Sequence, residues 1–141
     1  MPGAMEILDT LRYGKTNSHS ALVTSASDAH VDVVLSALGI RRHFAQIITA
    51  DHPELGGRLK PDPEPYRLAA RKLHVKTHRC IAFEDTAHGA ESARGAGMIV
   101  IGVPHRFSPR ERLEGIAHHV IPEGQNIGAF EMASIQQRLP Q

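Results

Sequence analysis

Residues Cys80–Met98 read CIAFEDTAHGAESARGAGM, and the succession of residue types in this stretch decides the fold class. Cys80 to Phe83 is an apolar run of strand length; Glu84 and Asp85 follow at once, and Thr86 stands where a helix cap belongs. The next segment places only small residues, Ala90, Ala93 and Gly97, on its inner face, so a helix here can lie close to a sheet. Ile99 to Gly102 is a second apolar strand. Strand, helix, strand, with strands apolar throughout, points to a parallel sheet covered by helices.

The alternation continues in both directions. Toward the amino end, Tyr66, Ala69, Ala70 and Leu73 mark a helix, and Gln46 to Thr49 a strand. Val31, Val34, Leu35 and Leu38 form one face of a helix opened by Ser27 or Asp28 and closed by Gly39. Ser20 to Thr24 (SALVT) is a short strand. Ala4, Ile7, Leu8 and Leu11 fall at i, i+3, i+4 and i+7 of a first helix, between Pro2 and Gly14. Asp51 to Pro65 holds Pro53, Gly56, Gly57, Pro61, Pro63 and Pro65 and must be loop. Toward the carboxyl end, His119 to Ile121 is a fifth strand, and Ile127 to Leu139 is helical in pattern. The expectation is an α/β fold, a three-layer Rossmann-like parallel sheet, in one domain over 1–141 without repeat or linker.

Composition narrows the function classes. Lys+Arg 16 against Asp+Glu 15 gives a formal charge of +1, which excludes a strongly basic nucleic-acid binder. No apolar run approaches the ~18 residues of a membrane span, and Met1 to Leu11 has no leader pattern. The single cysteine, Cys80, excludes a disulfide framework and a cysteine-based zinc site. A soluble cytoplasmic protein is expected, with no nucleic-acid or membrane partner. Ten histidines make its charge sensitive near pH 6.

In open α/β sheets, ligands bind beyond the carboxyl ends of the strands. The residues there are Thr24-Ser25-Ala26-Ser27 after the first strand and Glu84-Asp85 after the third, and the proline-rich loop carries Lys60. Thr24 and Ser25 suit phosphate oxygens at a helix start. Lys60 supplies a compact positive charge on a backbone stiffened by Pro61 and Pro63. Glu84 and Asp85 are hard oxygen donors of the kind Mg²⁺ takes. Singly, each has a plainer use: helix cap, solvated loop lysine, charge against a helix dipole. Placed in order at one rim, they read as a site. Cys80 reads as a small core residue, His105, His118 and His119 as surface, and Arg106 to Arg112 as an exposed helix start. Gly95-Ala96-Gly97 lies after a helix and before a strand, the wrong order for a dinucleotide fingerprint, and no Gly-x-x-x-x-Gly-Lys loop occurs.

These segments resemble the haloacid-dehalogenase-like (HAD) phosphatases, in particular the branch of β-phosphoglucomutase and phosphoglycolate phosphatase. ALVTSAS is similar to that family's second motif, with its hydroxyl at Thr24. GRLKPDPEPY is similar to the third, with its lysine at Lys60. CIAFEDTAHGAESARGAGM is similar to the fourth, with its acids at Glu84 and Asp85, and PGAMEILDTLR resembles the segment that leads from the cap into the core. The resemblance implies Mg²⁺-assisted phosphoryl transfer from a small phosphorylated metabolite through an aspartyl-phosphate. Thr24, with Ser25 beside it, would hold a phosphoryl oxygen, Lys60 would balance nucleophile and phosphate, and Asp85 would bind Mg²⁺ with Glu84 as a direct or outer ligand.

The family's first motif, Asp-x-Asp after an apolar strand, has no match here. Asp9 lies in a helical pattern, and Asp51 is followed by His52-Pro53. No segment corresponds to the helical cap, which usually chooses the substrate. The expectation is therefore a HAD core without its first, central strand, as a fragment or truncated product that is inactive alone. The alternative is a non-catalytic phosphate- or Mg²⁺-binding or assembly module. By resemblance the missing strand lies between those ending at Thr24 and Phe83, so these should close up, or a complementary chain or second copy should fill the slot.

Overall fold

The computed structural model describes residues 3–14 and 18–122. The helical pattern over Ile127 to Leu139 lies outside the described residues. The chain runs α1 (Ala4–Tyr13), β1 (Ala21–Val23), α2 (Asp28–Leu38), β2 (Gln46–Ile48), α3 (Glu64–Lys72), β3 (Ile81–Glu84), α4 (Ala87–Gly95), β4 (Ile99–Gly102) and β5 (His119–Val120), with single 3₁₀ turns between.

Local chemistry sets the ends of these elements. Ser27 caps α2 by accepting from His30 N, and Asp51 Oδ2 accepts from Asp28 N at 2.9 Å. Gly39 closes α2 in the left-handed region, at φ 64°. Asp62 Oδ1 accepts from Glu64 N at 2.8 Å and starts α3. Thr86 accepts from Gly89 N at 3.1 Å and starts α4.

Among the described residues all strand pairs are parallel, but they form two pieces: β1 with β2, and β3–β4–β5. Side chains alternate across the larger piece. Ile81, Phe83, Ile99 and Ile101 pack with Ile7 of α1 on one face. Ala82 and Val100 pack with Ala90 and Ala93 of α4 on the other. These are the three layers. α3 spans both pieces: Leu68 and Ala69 pack on β1 and β2, while Tyr66 and Ala70 join the core over β3 and β4.

The expected closing of the two flanking strands does not occur. β1 and β3 share no ladder among the described residues. α3 packs on both pieces, and one side chain, described below, bonds to the ends of both. Three smaller expectations also change. Val34 and Leu38, on the proposed inner face of α2, are 39% and 62% exposed, and only Val31 and Leu35 are buried. Cys80 precedes its strand rather than opening it and is half-buried, because a 3₁₀ turn at Thr77–Arg79 delivers it at the sheet's edge. The run Arg106 to Arg112 starts no α-helix; it makes a single 3₁₀ turn at Arg110–Arg112.

Candidate active site

The carboxyl ends of β1 and β3 meet at Lys60. Its Nζ donates to Val23 O at 3.0 Å, the last carbonyl of β1, and to Glu84 Oε1 at 2.5 Å, the last residue of β3. One side chain thus ties the two sheet pieces together across the slot. The loop that delivers it is anchored on both sides. Ser92 of α4, fully buried, donates from Oγ to Asp62 O at 2.6 Å, and Leu55 is buried beneath the 3₁₀ turn Pro53–Leu55. The Lys60–Pro61 bond is cis.

Glu84 and Asp85 are adjacent in sequence and opposite in environment. Glu84 faces inward with its side chain 6% exposed, and its Oε1 accepts from both Lys60 Nζ and the Tyr66 hydroxyl. Asp85 has left the strand; its side chain is 46% exposed, with His105 Nε2 at 3.6 Å. Thr24 follows β1 and is half-buried, and its Oγ1 accepts from Ala26 N at 3.1 Å, which leaves its own O–H to donate elsewhere. Ser25 is exposed beside it. The structure therefore gathers Lys60, Glu84 and Asp85 in direct succession, with Thr24 one residue from the carbonyl that Lys60 grips. No hydrogen bond joins Thr24 or Ser25 to the other three among those described.

A divalent cation at this rim would meet Asp85 first. The Glu84 carboxylate is already turned to Lys60 and Tyr66, and no group of three histidine, cysteine or acidic side chains is arranged for a metal among the described residues. A single open carboxylate suits Mg²⁺, which keeps several waters and completes its shell with substrate phosphate.

Two further residues stand at this rim. Tyr66 fits the apolar period of α3 and is buried in the core, and its hydroxyl reaches Glu84, 18 residues away. His105, expected at the surface, is partly exposed beside Asp85. It follows β4, at the carboxyl end of the sheet, a position that signals a rim residue. Phe107 N donates to His105 Nδ1 at 3.2 Å, so the ring's remaining hydrogen lies on Nε2, toward Asp85.

Burial first, and the Glu84 charge second, push the Tyr66 phenol far above its ordinary value. The unfolded chain releases that proton near pH 10, while the folded chain keeps it. This contribution to stability is complete below about pH 10 and is lost as pH rises further. Unfolding free energy measured by urea at pH 9 to 11 is expected to fall more steeply in the parent chain than in Tyr66→Phe, by up to about 1.4 kcal/mol per pH unit. Equal slopes would mean that the phenol is not buried against a charge.

The carboxyl rim of this parallel α/β sheet thus carries a lysine and two acids, one acid closed and one open, at the place where ligands bind in open α/β sheets. The haloacid dehalogenase-like hydrolase family model matches residues 1–103, and the chain belongs to that family. It is 29% identical over 99 residues to the fructose-1-phosphate phosphatase YqaB of Escherichia coli, covering 70% of this chain and 51% of that protein. It is 35% identical over 101 residues to the validoxylamine A 7′-phosphate phosphatase of Streptomyces hygroscopicus subsp. limoneus, covering 72% of this chain and 45% of that protein. A crystal structure of β-phosphoglucomutase from Clostridium difficile superposes with a TM-score of 0.77 at 28% identity, over 97% of this chain and 55% of that one. The chain thus spans about half the length of the relatives it matches. No helix among the described residues is long and apolar enough to cross a membrane.

Proposed function

We propose that this chain is the phosphate- and magnesium-handling part of a HAD-type phosphohydrolase or phosphomutase that acts on a small phosphorylated metabolite of the sugar-phosphate class. The observation that carries this reading is Lys60, which joins the ends of β1 and β3 and is held against buried Glu84 while Asp85 stands open at the same rim. The names of the relatives support the substrate class.

Each side chain has a defined task in this reading. Lys60 has three N–H groups; Val23 O and Glu84 Oε1 take two, leaving one for a phosphoryl oxygen. The Thr24 hydroxyl donates to another. Asp85 would hold Mg²⁺, with Glu84 behind it as the counter-ion of Lys60. Bound Mg²⁺ supplies neutralisation of phosphate charge. The attacking carboxylate comes from a strand that enters between β1 and β3, supplied by a complementary segment or chain. Both edges there are parallel and unpaired with each other, so a strand entering the slot gains ladder bonds on each side.

The 141 residues alone are expected to show no hydrolysis of sugar phosphates or p-nitrophenyl phosphate in Mg²⁺. Turnover should appear when an amino-terminal half bearing Asp-x-Asp from a family member is supplied. Lys60→Ala should lower that turnover on the order of 10²-fold or more. Hydrolysis by the chain alone that is lost in Lys60→Ala would contradict the need for a supplied strand. Complex formation with no turnover would favour a non-catalytic binding module.

A further inference from the structure

We propose that Tyr66 is a positioning residue for Lys60: ring and hydroxyl, together with Glu84, form a cradle that holds the ammonium in place at the end of β1. The proposal rests on the role given to Lys60 above and extends it to a residue that touches no substrate.

Three observations meet at this point. The Tyr66 hydroxyl and Lys60 Nζ donate to the same oxygen, Glu84 Oε1. Lys60 Nζ also lies 5.1 Å from the centre of the Tyr66 ring, within the range of a cation–π contact. Tyr66 itself is only 6% exposed. A flexible lysine would otherwise spread over many rotamers, and a buried carboxylate with one donor would be poorly balanced. The phenol addresses both. Its O–H stabilises the Glu84 anion, and its ring faces the ammonium. The Glu84 carboxylate in turn lies against Gly89 of α4, where any side chain would occupy the same space, so the cradle is closed from the other side as well.

The cradle also explains why the residue is tyrosine rather than another apolar helix former. Phenylalanine would fill the same core volume among Ala70, Ala82 and Ala90, and only the hydroxyl reaches Glu84. Removing the hydroxyl leaves α3 packed and loosens the Glu84 carboxylate and, through it, the ammonium.

The test follows the Lys60 ammonium itself by nitrogen-detected NMR. The chain has four lysines, Lys15, Lys60, Lys72 and Lys76, and Lys60→Met identifies the signal. In the parent chain, Lys60 should give a protected ammonium signal. In Tyr66→Phe, its hydrogens should exchange faster by about tenfold or more, because the Glu84 oxygen that accepts from Lys60 loses the hydrogen bond that fixes it. The thermal transition should stay cooperative. An unchanged exchange rate in a folded Tyr66→Phe would overturn the proposal. Should that variant fail to fold, the parent chain still decides: contacts between the Tyr66 ring and the Lys60 ε-methylene protons must be seen, and their absence overturns the cradle. Inorganic phosphate with Mg²⁺ is then added. A Lys60 signal that ignores phosphate but loses protection in Tyr66→Phe would leave the cradle standing and remove the phosphate role of Lys60.

Discussion

Gly89→Ala is expected to destabilise the chain by about 2–4 kcal/mol, although alanine is the better helix former by ~1 kcal/mol. Gly89 lies in the first turns of α4, at an ordinary helical conformation, so propensity alone predicts a gain. The contact predicts the opposite. A Cβ at Gly89 would fall inside van der Waals contact with Glu84 Oε2 and Cδ. A free carboxylate would swing aside at little cost. This one is fixed by Lys60 and Tyr66, and moving it breaks both bonds in a buried place. Urea unfolding of the two chains decides the sign. A more stable Gly89→Ala would show that the Glu84 carboxylate is loosely held.

Lys60→Met and Glu84→Gln are each expected to cost about 3–5 kcal/mol, since each leaves one partner of a buried pair uncompensated. Side-chain exposures of 11% and 6% place the pair well inside the regime where this penalty applies. Combining the two removes both charges at once and leaves the Tyr66 hydroxyl an amide oxygen to meet. The double variant should therefore cost less than the sum of the singles, by roughly 2 kcal/mol of coupling. Costs that add within about 0.5 kcal/mol would mean that Lys60 and Glu84 do not act as a pair. By contrast, surface pairs such as Arg41–Asp32 should show little coupling, because water screens them.

Much of the fold is legible in the residue order. The segment from β3 through β4 can be read from its apolar runs and from Thr86, because parallel strands and helix caps leave local signals. The rim is legible for the same reason: strand ends are known once strands are known. What is not legible depends on side chains far apart in sequence. Tyr66 has the period of a core residue, and its hydroxyl partner is outside any local window. Glu84 and Asp85 are adjacent in sequence, but the strand ends between them: Glu84, its last residue, faces inward, and Asp85, past the strand end, faces solvent. The failure of β1 and β3 to close up is also tertiary. α3 packs on both pieces and Lys60 bonds to the ends of both, contacts between residues far apart in sequence. The exposed flank of α2, with Val34 and Leu38, shows the same limit: a helical period marks a face without saying how much of it is covered.

The proposed site is a single rim for phosphate and Mg²⁺ built on Lys60 and Asp85. Calorimetric titration of inorganic phosphate into the chain combined with a supplied amino-terminal half, with and without Mg²⁺, examines that rim itself. Binding should require Mg²⁺ and should be lost in both Lys60→Ala and Asp85→Asn. Phosphate binding that ignores Mg²⁺, or that survives both substitutions, would place the anion elsewhere on the molecule and contradict the assignment.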